Sequence, residues 1–513
     1  MSLLSEEDLN DFISPALACT KPTEIKRTKV KSNVNALGEY EVGVDDGEDE
    51  MLEKVTITLS DCLACSGCIT SSEEIMLQQQ SHGVFLKAMS NREANTKLAV
   101  SISPQCRLSM ATYYGMEISD FDKCFANFFQ KKFNAKYVVG TQLGRNVSIQ
   151  QVVKKLSEWK QSKEYEKDSR PRLSAADPGF VIYTEKTKPD LVPLLLNVKS
   201  PQQITGALLH ETFDKHYKTE TKTEEKLYVL GVMACFDKKL EASRPDSAGE
   251  VDCVITPKEF VAMLSELNES FYQYKVSSSD DILKDLCPEG WDPELHWCIN
   301  HGSSSGGFAY QYIVWRQRTL PDELAKNSKI MKLLGKNNNI CEHRLINVKT
   351  GETIASASEL SGFRNIQNMV RHLSRSGPNG SSAFPKRRVQ SLRKRQSSTN
   401  TASSTATTTT AGRLGTLVAQ PYSSEFIEVN AAPGGCLNGS GLLNEEQSTV
   451  RKRQFTQQLE ERFHSSFTMV DPLDTTQWST TEIIEPEKLY EYTFHAAQPQ
   501  DKQKDIVTVG NTW

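Results

Sequence analysis

Short apolar runs recur along the chain, each closed by a turn or running into a helical stretch. LAVSISPQ, KYVVGTQLG, GFVIYTEK, KLYVLGVMAC and VDCVITPKEF read as buried strands leading into turns or helices. Strands that alternate with helices in this way predict a parallel α/β sheet. Ligands of such folds gather beyond the carboxyl ends of the strands. That edge would hold Pro104, Pro178, Cys235 and the loop at 301–307. Further upstream, VTITLSDCLACSGCIT alternates like a strand and then enters a loop rich in cysteine. Near the other end, EFIEVNAAPGGCLNG reads as a strand entering a glycine turn.

This pattern divides the chain. Residues 1–95 form an arm and a small cysteine-bearing region, 96–240 a first α/β lobe, and 241–375 with 414–500 a second lobe. Residues 376–413 are rich in Ser and Thr, carry basic clusters at Lys386–Arg388 and Arg393–Arg395, and are expected to be a disordered insertion. A tail at 501–513 ends in Trp513. The 513 residues, 38% of them hydrophobic, suffice for a large core in two to four domains. A net charge of −5 gives no case for nucleic-acid binding. The opening residues are acidic and polar, so no signal peptide is expected, and no apolar run approaches the ~20 residues of a membrane span. Twelve cysteines in such a chain read as reduced thiols or metal ligands, which suits the cytosol or nucleus. The 301–307 loop lacks the Lys-Ser/Thr of a phosphate loop, and no G-x-x-x-x-G-K-[ST] occurs.

The sharpest chemical signal is Cys62, Cys65 and Cys68 in DCLACSGC, spaced C-x2-C-x2-C. Two intervening residues let a looping backbone aim successive sulfurs into one pocket, and the bacterial ferredoxin run that holds a [4Fe–4S] cluster begins in this way. No Cys-Pro lies just downstream of Cys68, so Cys19, the only upstream cysteine, is the natural fourth ligand. Zinc sites usually bring two C-x2-C pairs or added histidines, and no second pair appears, which favours iron–sulfur over zinc. Cys235 and Cys436 each lie where a strand meets a turn. Cys106, Cys124, Cys253, Cys287, Cys298 and Cys341 lack ligand-like spacing and read as small core residues.

The strings DCLACSGC, SISPQCR, DPGFVIYTEKTKPDLVP, VKSPQQITGALL, MACFDKKLEASR, GFRNIQN and PGGCLNG carry a wider resemblance. Together they make the chain similar to the iron-only hydrogenase-like cytosolic iron–sulfur assembly factors, the nuclear architecture-related protein 1 and nuclear prelamin A recognition factor-like family. The resemblance implies a two-lobed, iron-only-hydrogenase-like α/β body with a small ferredoxin-like N-terminal region. It implies a first [4Fe–4S] cluster on Cys19, Cys62, Cys65 and Cys68, and a second between the lobes that Cys235 and Cys436 help to hold. The family's two other second-site cysteines are replaced here by Asp177 and Ala432. A hard carboxylate suits a sulfide cluster less than a thiolate, and alanine donates nothing. The second site is therefore expected to be absent, labile or dependent on an outside ligand.

Three functions follow. The first is a non-catalytic factor that helps deliver [4Fe–4S] units to cytosolic and nuclear apoproteins. The resemblance gives it a targeting complex with a WD40-repeat protein and an upstream P-loop scaffold as partners, and Trp513 is a candidate docking tail. The second is a hydrogenase; Cys436 and Lys238 sit where such enzymes place a bridging thiolate and a cluster-contacting lysine, but Ala176 and Asp177 replace their paired cysteines. The third is an interaction protein that keeps only the N-terminal cluster.

Overall fold

The computed structural model describes residues 80–496 apart from 219–224, 245–246, 248, 277–280, 338, 376–417, 444–448 and 476–486, together with two short N-terminal strands. Those strands, β1 (Ser32–Val34) and β2 (Tyr40–Val42), pair antiparallel within the first of two compact units, Met1–Ile75. Cys19, Cys62, Cys65, Cys68, the 376–413 insertion and Trp513 lie outside the described residues.

The second unit, Met76–Trp513, is built on two sheets. The first has the order β4-β3-β6-β7, formed by β3 (Thr96–Ile102), β4 (Ala135–Gly140), β6 (Lys226–Val232) and β7 (Cys253–Ile255), and every pairing is parallel. The second has the order β5-β12-β11-β10-β9. In it β5 (Arg172–Leu173), β12 (Phe426–Asn430) and β11 (Thr353–Ser361) run parallel, while β10 (Ile340–Asn347) and β9 (Ser328–Leu334) are antiparallel additions. A small parallel pair joins β8 (Ile299–Asn300) to β13 (Met469–Val470).

Strands buried on both faces read as continuous apolar runs, and helices supply the covers. One face of the first sheet packs an aromatic layer in which Phe85, Phe125, Phe128, Phe129 and Phe260 are fully buried. These come from α1 (His82–Ser90), α3 (Ile118–Phe133) and α8 (Pro257–Glu266), with α2 (Pro104–Tyr113) beside them. On the other face lie α4 (Gln142–Gln161) and α6 (Pro201–Phe213). The helix α4 serves both sheets: Leu143 and Val147 pack on the first, while Ile149, Val152 and Leu156 join Phe308 and Tyr312 of α9 (Phe308–Arg318) on the second. The far face of the second sheet is covered by α5 (Pro178–Thr187) and α10 (Phe363–Arg375). Among the described residues no helix is long and apolar enough to cross a membrane.

One expected strand is a helix. GFVIYTEK lies in α5, because Asp177 caps its N-terminus and Pro178 occupies the first turn, where its fixed φ and missing N–H favour helix entry. The expected chemistry-bearing edge forms as the alternation suggests. Pro104, Pro178 and Cys235 follow the ends of β3, β5 and β6, the 301–307 loop follows β8, and Cys436 follows β12.

Candidate functional site

Three loops from the two sheets converge at this edge. The Cys235 loop leaves β6 and enters α7 (Asp237–Ala242). The Cys436 loop leaves β12, turns through Gly434 and Gly435, both at φ 76°, and folds against the first loop. The Gly441 N–H donates to Ala234 O at 3.1 Å. A Cβ on Gly439 would lie 2.3 Å from that same carbonyl oxygen, so only glycine allows this approach. The third loop, Asp177–Gly179, meets the Cys235 loop, for a Cβ on Gly179 would stand 3.1 Å from Asp237 Oδ2.

Cys235 and Cys436 are half-buried rather than sealed in the core. Burial, then the charges of Asp237 and Cys436, push the Cys235 thiol well above its ordinary value. Burial and the charge of Asp177 push Cys436 up to about 11, against a hydrogen bond from Ser305 and the cations Lys238 and Arg145. Ser305 also fixes the turn, since its Oγ accepts the Cys436 N–H at 2.9 Å.

Two cations frame the thiols. Lys238 donates to Ala176 O at 2.9 Å and to Glu241 Oε2 at 2.8 Å, and Glu241 is in turn held by Ser200 and Tyr492. Burial alone would lower its pKa; Glu241, Cys235 and Asp177 outweigh that and hold it high. Arg145, only 4% exposed, projects from the shared helix α4 toward Cys436 and Glu428, and its Nε has no hydrogen-bond partner among the described residues. A buried, incompletely bonded guanidinium beside a thiol suits an anionic occupant such as an iron–sulfur core with its thiolates.

The remaining positions do not complete a set of four donors. Both oxygens of Asp177 are engaged: Oδ1 accepts the Phe180 N–H at 2.9 Å and Oδ2 the Ala431 N–H at 2.8 Å. Ala432, next along, offers no side-chain donor. The described residues thus place two thiols, not four, around this space, and they do not fit a cluster held wholly by protein thiolates. Cys106, at the start of α2, is the small core residue that the sequence suggests: it is fully buried in the first sheet's apolar cluster, and its thiol, raised by burial, also feels the charge of Cys436.

The family model described as iron only hydrogenase large subunit, C-terminal domain, matches residues 96–440. A curated relative from Saccharomyces cerevisiae (strain ATCC 204508 / S288c), named cytosolic Fe-S cluster assembly factor NAR1, is 50% identical over 516 residues, covering 100% of both chains. The chain belongs to the hydrogenase-like cytosolic Fe–S cluster assembly factor family. A further family member of the same name, from Kluyveromyces lactis, is 45% identical with 100% of both chains covered. Among solved structures, an [FeFe]-hydrogenase described for oxygen inactivation of its H cluster aligns with TM-score 0.54 at 16% identity, covering 81% of this chain and 99% of that one. A variant of the apo [FeFe]-hydrogenase HydA1 from Chlamydomonas reinhardtii gives TM-score 0.51 at the same 16% identity, with 81% and 99% covered. These structural likenesses establish the hydrogenase-like fold of this assembly-factor family member.

Proposed function

We propose that this chain serves cytosolic Fe–S protein assembly as a non-catalytic carrier that helps pass preassembled [4Fe–4S] clusters to target apoproteins. The name of its full-length relatives supports the pathway. In this reading Cys19, Cys62, Cys65 and Cys68 hold a resident [4Fe–4S] cluster, as their spacing supports. Cys235 and Cys436 form a partial second site, completed only by a ligand from outside. The half-burial of both thiols supports such access. Partners of the carrier would be an upstream P-loop scaffold, a targeting complex containing a WD40-repeat protein, and apo Fe/S clients, in the cytoplasm and also the nucleus. Trp513 would be the docking tail for that complex.

One observation carries the non-catalytic reading: Asp177 spends both carboxylate oxygens on backbone N–H groups, and Ala432 has nothing to give. A hydrogenase-type centre needs its cubane firmly held beside a bridging thiolate, and two thiols hold a cubane poorly. Anaerobic reconstitution tests the reading. About four irons per chain with no hydrogen evolution are expected, against about eight if both sites fill. Hydrogen production by the iron-loaded protein would overturn it.

A further inference from the structure

A second group of metal-ligating side chains lies on β10 and β11 of the second sheet. Cys341 and His343 are two residues apart on β10, so both project from the same face. Glu359 on β11 is the direct cross-strand partner of Cys341. The Cys341 Sγ to His343 Nε2 distance is 3.8 Å, and His343 Nε2 to Glu359 Oε1 is 2.9 Å. All three donor atoms lie within 4.8 Å of one another. The face they share is covered by α9, whose Tyr310 ring packs 5.4 Å from the His343 ring. Cys341 and His343 are buried, at 7% and 4% exposure.

The next strand extends the row. Glu428 of β12 is the register partner of Glu359, and it is 2% exposed. Its Oε2 accepts the Ala309 N–H at 2.9 Å, while its Oε1 has no hydrogen-bond partner among the described residues. Its carboxyl feels the charges of Glu359, His343 and the Arg145 cation. Two carboxylates and a thiol thus crowd one imidazole under a helix. A hydrogen-bonded His–Glu pair satisfies only part of this donor set, and a bound cation would satisfy the rest.

We propose that Cys341, His343 and Glu359 form a site for one divalent zinc ion, with the fourth position open to water or to Glu428. The donor spacing is the first reason. Bonds of about 2.3 Å to sulfur and about 2.0–2.1 Å to nitrogen and oxygen, arranged tetrahedrally, separate donor atoms by about 3.3–3.6 Å. The sulfur–nitrogen pair is already close to that, and the nitrogen–oxygen pair has only to open by a few tenths of an ångström. The donor chemistry is the second. One thiolate, one imidazole and one carboxylate suit a borderline cation and not magnesium or calcium, which take oxygen. A single thiol also sets the site apart from any iron–sulfur cluster. The third reason is rigidity: all three ligands stand on paired strands, so little has to be ordered when the ion arrives.

The test uses full-length protein whose N-terminal iron–sulfur cluster has been reconstituted first, so that Cys19, Cys62, Cys65 and Cys68 are occupied. The protein is equilibrated with zinc sulfate, desalted, and measured for metal content and by X-ray absorption at the zinc edge. The expected result is one zinc per chain with a shell of one sulfur at about 2.3 Å and three lighter donors at about 2.0–2.1 Å. Cys341→Ala and Glu359→Gln should each weaken zinc affinity at least tenfold, while Cys235→Ala leaves it unchanged. Zinc should also raise the melting temperature of the parent protein and not that of Cys341→Ala; unchanged circular dichroism shows that this variant is folded. No retained zinc, a shell with two or more sulfurs, or zinc that survives Cys341→Ala would each overturn the assignment. This outcome is independent of the cluster-carrier reading, since iron content is counted separately on the same sample.

Discussion

The carboxylate of Asp177 reaches the backbone of Ala431 and accepts its N–H at 2.8 Å, one residue before Ala432. The bond thus joins Asp177 to the neighbour of Ala432, the two positions to which the family resemblance assigns cluster thiols. Its other oxygen caps α5 at Phe180. Removing an N-cap acceptor costs about 1 kcal/mol, and an orphaned N–H adds a comparable amount. Asp177→Ala should lower unfolding stability by about 2 kcal/mol, read by denaturant melts, with iron content unchanged. Loss of iron without loss of stability would make Asp177 a ligand instead.

Restoring thiols at both positions tests the incomplete site directly. Asp177→Cys combined with Ala432→Cys should raise iron after anaerobic reconstitution from about four toward about eight atoms per chain. An unchanged count would show that Cys235 and Cys436 are not poised to hold a cubane.

The proposed N-terminal cluster has its own test in the cysteine run. Cys65→Ala should abolish most of the iron and acid-labile sulfide, because three remaining thiolates hold a [4Fe–4S] core weakly. Full iron retention would remove Cys65 from the ligand set.

Charges around Cys436 make two opposite predictions. The thiolate is the reactive form. Arg145 and Lys238 favour it and Asp177 opposes it. At pH 8, Arg145→Met should slow alkylation of Cys436 several-fold, and Asp177→Asn should speed it, both followed by mass spectrometry of the peptide. Equal rates in the two variants would mean that neither charge faces the thiol.

A buried histidine sets an acid limb. Burial, reinforced by the Arg107 cation, lowers His296 to about 3, and its Nδ1 accepts the Gly140 N–H at 3.2 Å. In the unfolded chain it titrates near its ordinary value of 6.5. The folded value is depressed, so its contribution is present above the unfolded value and is lost as pH falls toward the folded one. Between pH 6 and 4 the parent protein should lose about 1.4 kcal/mol per pH unit more than His296→Gln. Parallel pH curves for the two proteins would contradict this.

Much of the fold was legible because both-face burial leaves a plain mark. The runs at β3, β4, β6 and β7 are apolar throughout most of their length, and each lies in the parallel sheet. GFVIYTEK misled for the same reason, since its apolar residues look like a strand until the capping role of Asp177 and Pro178 is weighed. The strands β9, β10 and β11, joined by antiparallel pairings, left no such mark. Their inward positions include Cys341, His343 and Glu359, which break the apolar alternation that announces a strand. Cys341 accordingly looked like a solitary core cysteine. Of the candidate site, the strand-end placement of Cys235 and Cys436 could be read from sequence. The withdrawal of Asp177 into backbone bonding could not, because it depends on Ala431, far along the chain.

The glycine turn around Cys436 is pinned by Ser305, by Asn339, which accepts the Gly434 N–H at 3.1 Å, and by Asn438, which donates to Pro433 O at 3.1 Å. None of these anchors is a sulfur. The outline of this berth is therefore set by polar bonds alone and stands with no thiolate engaged.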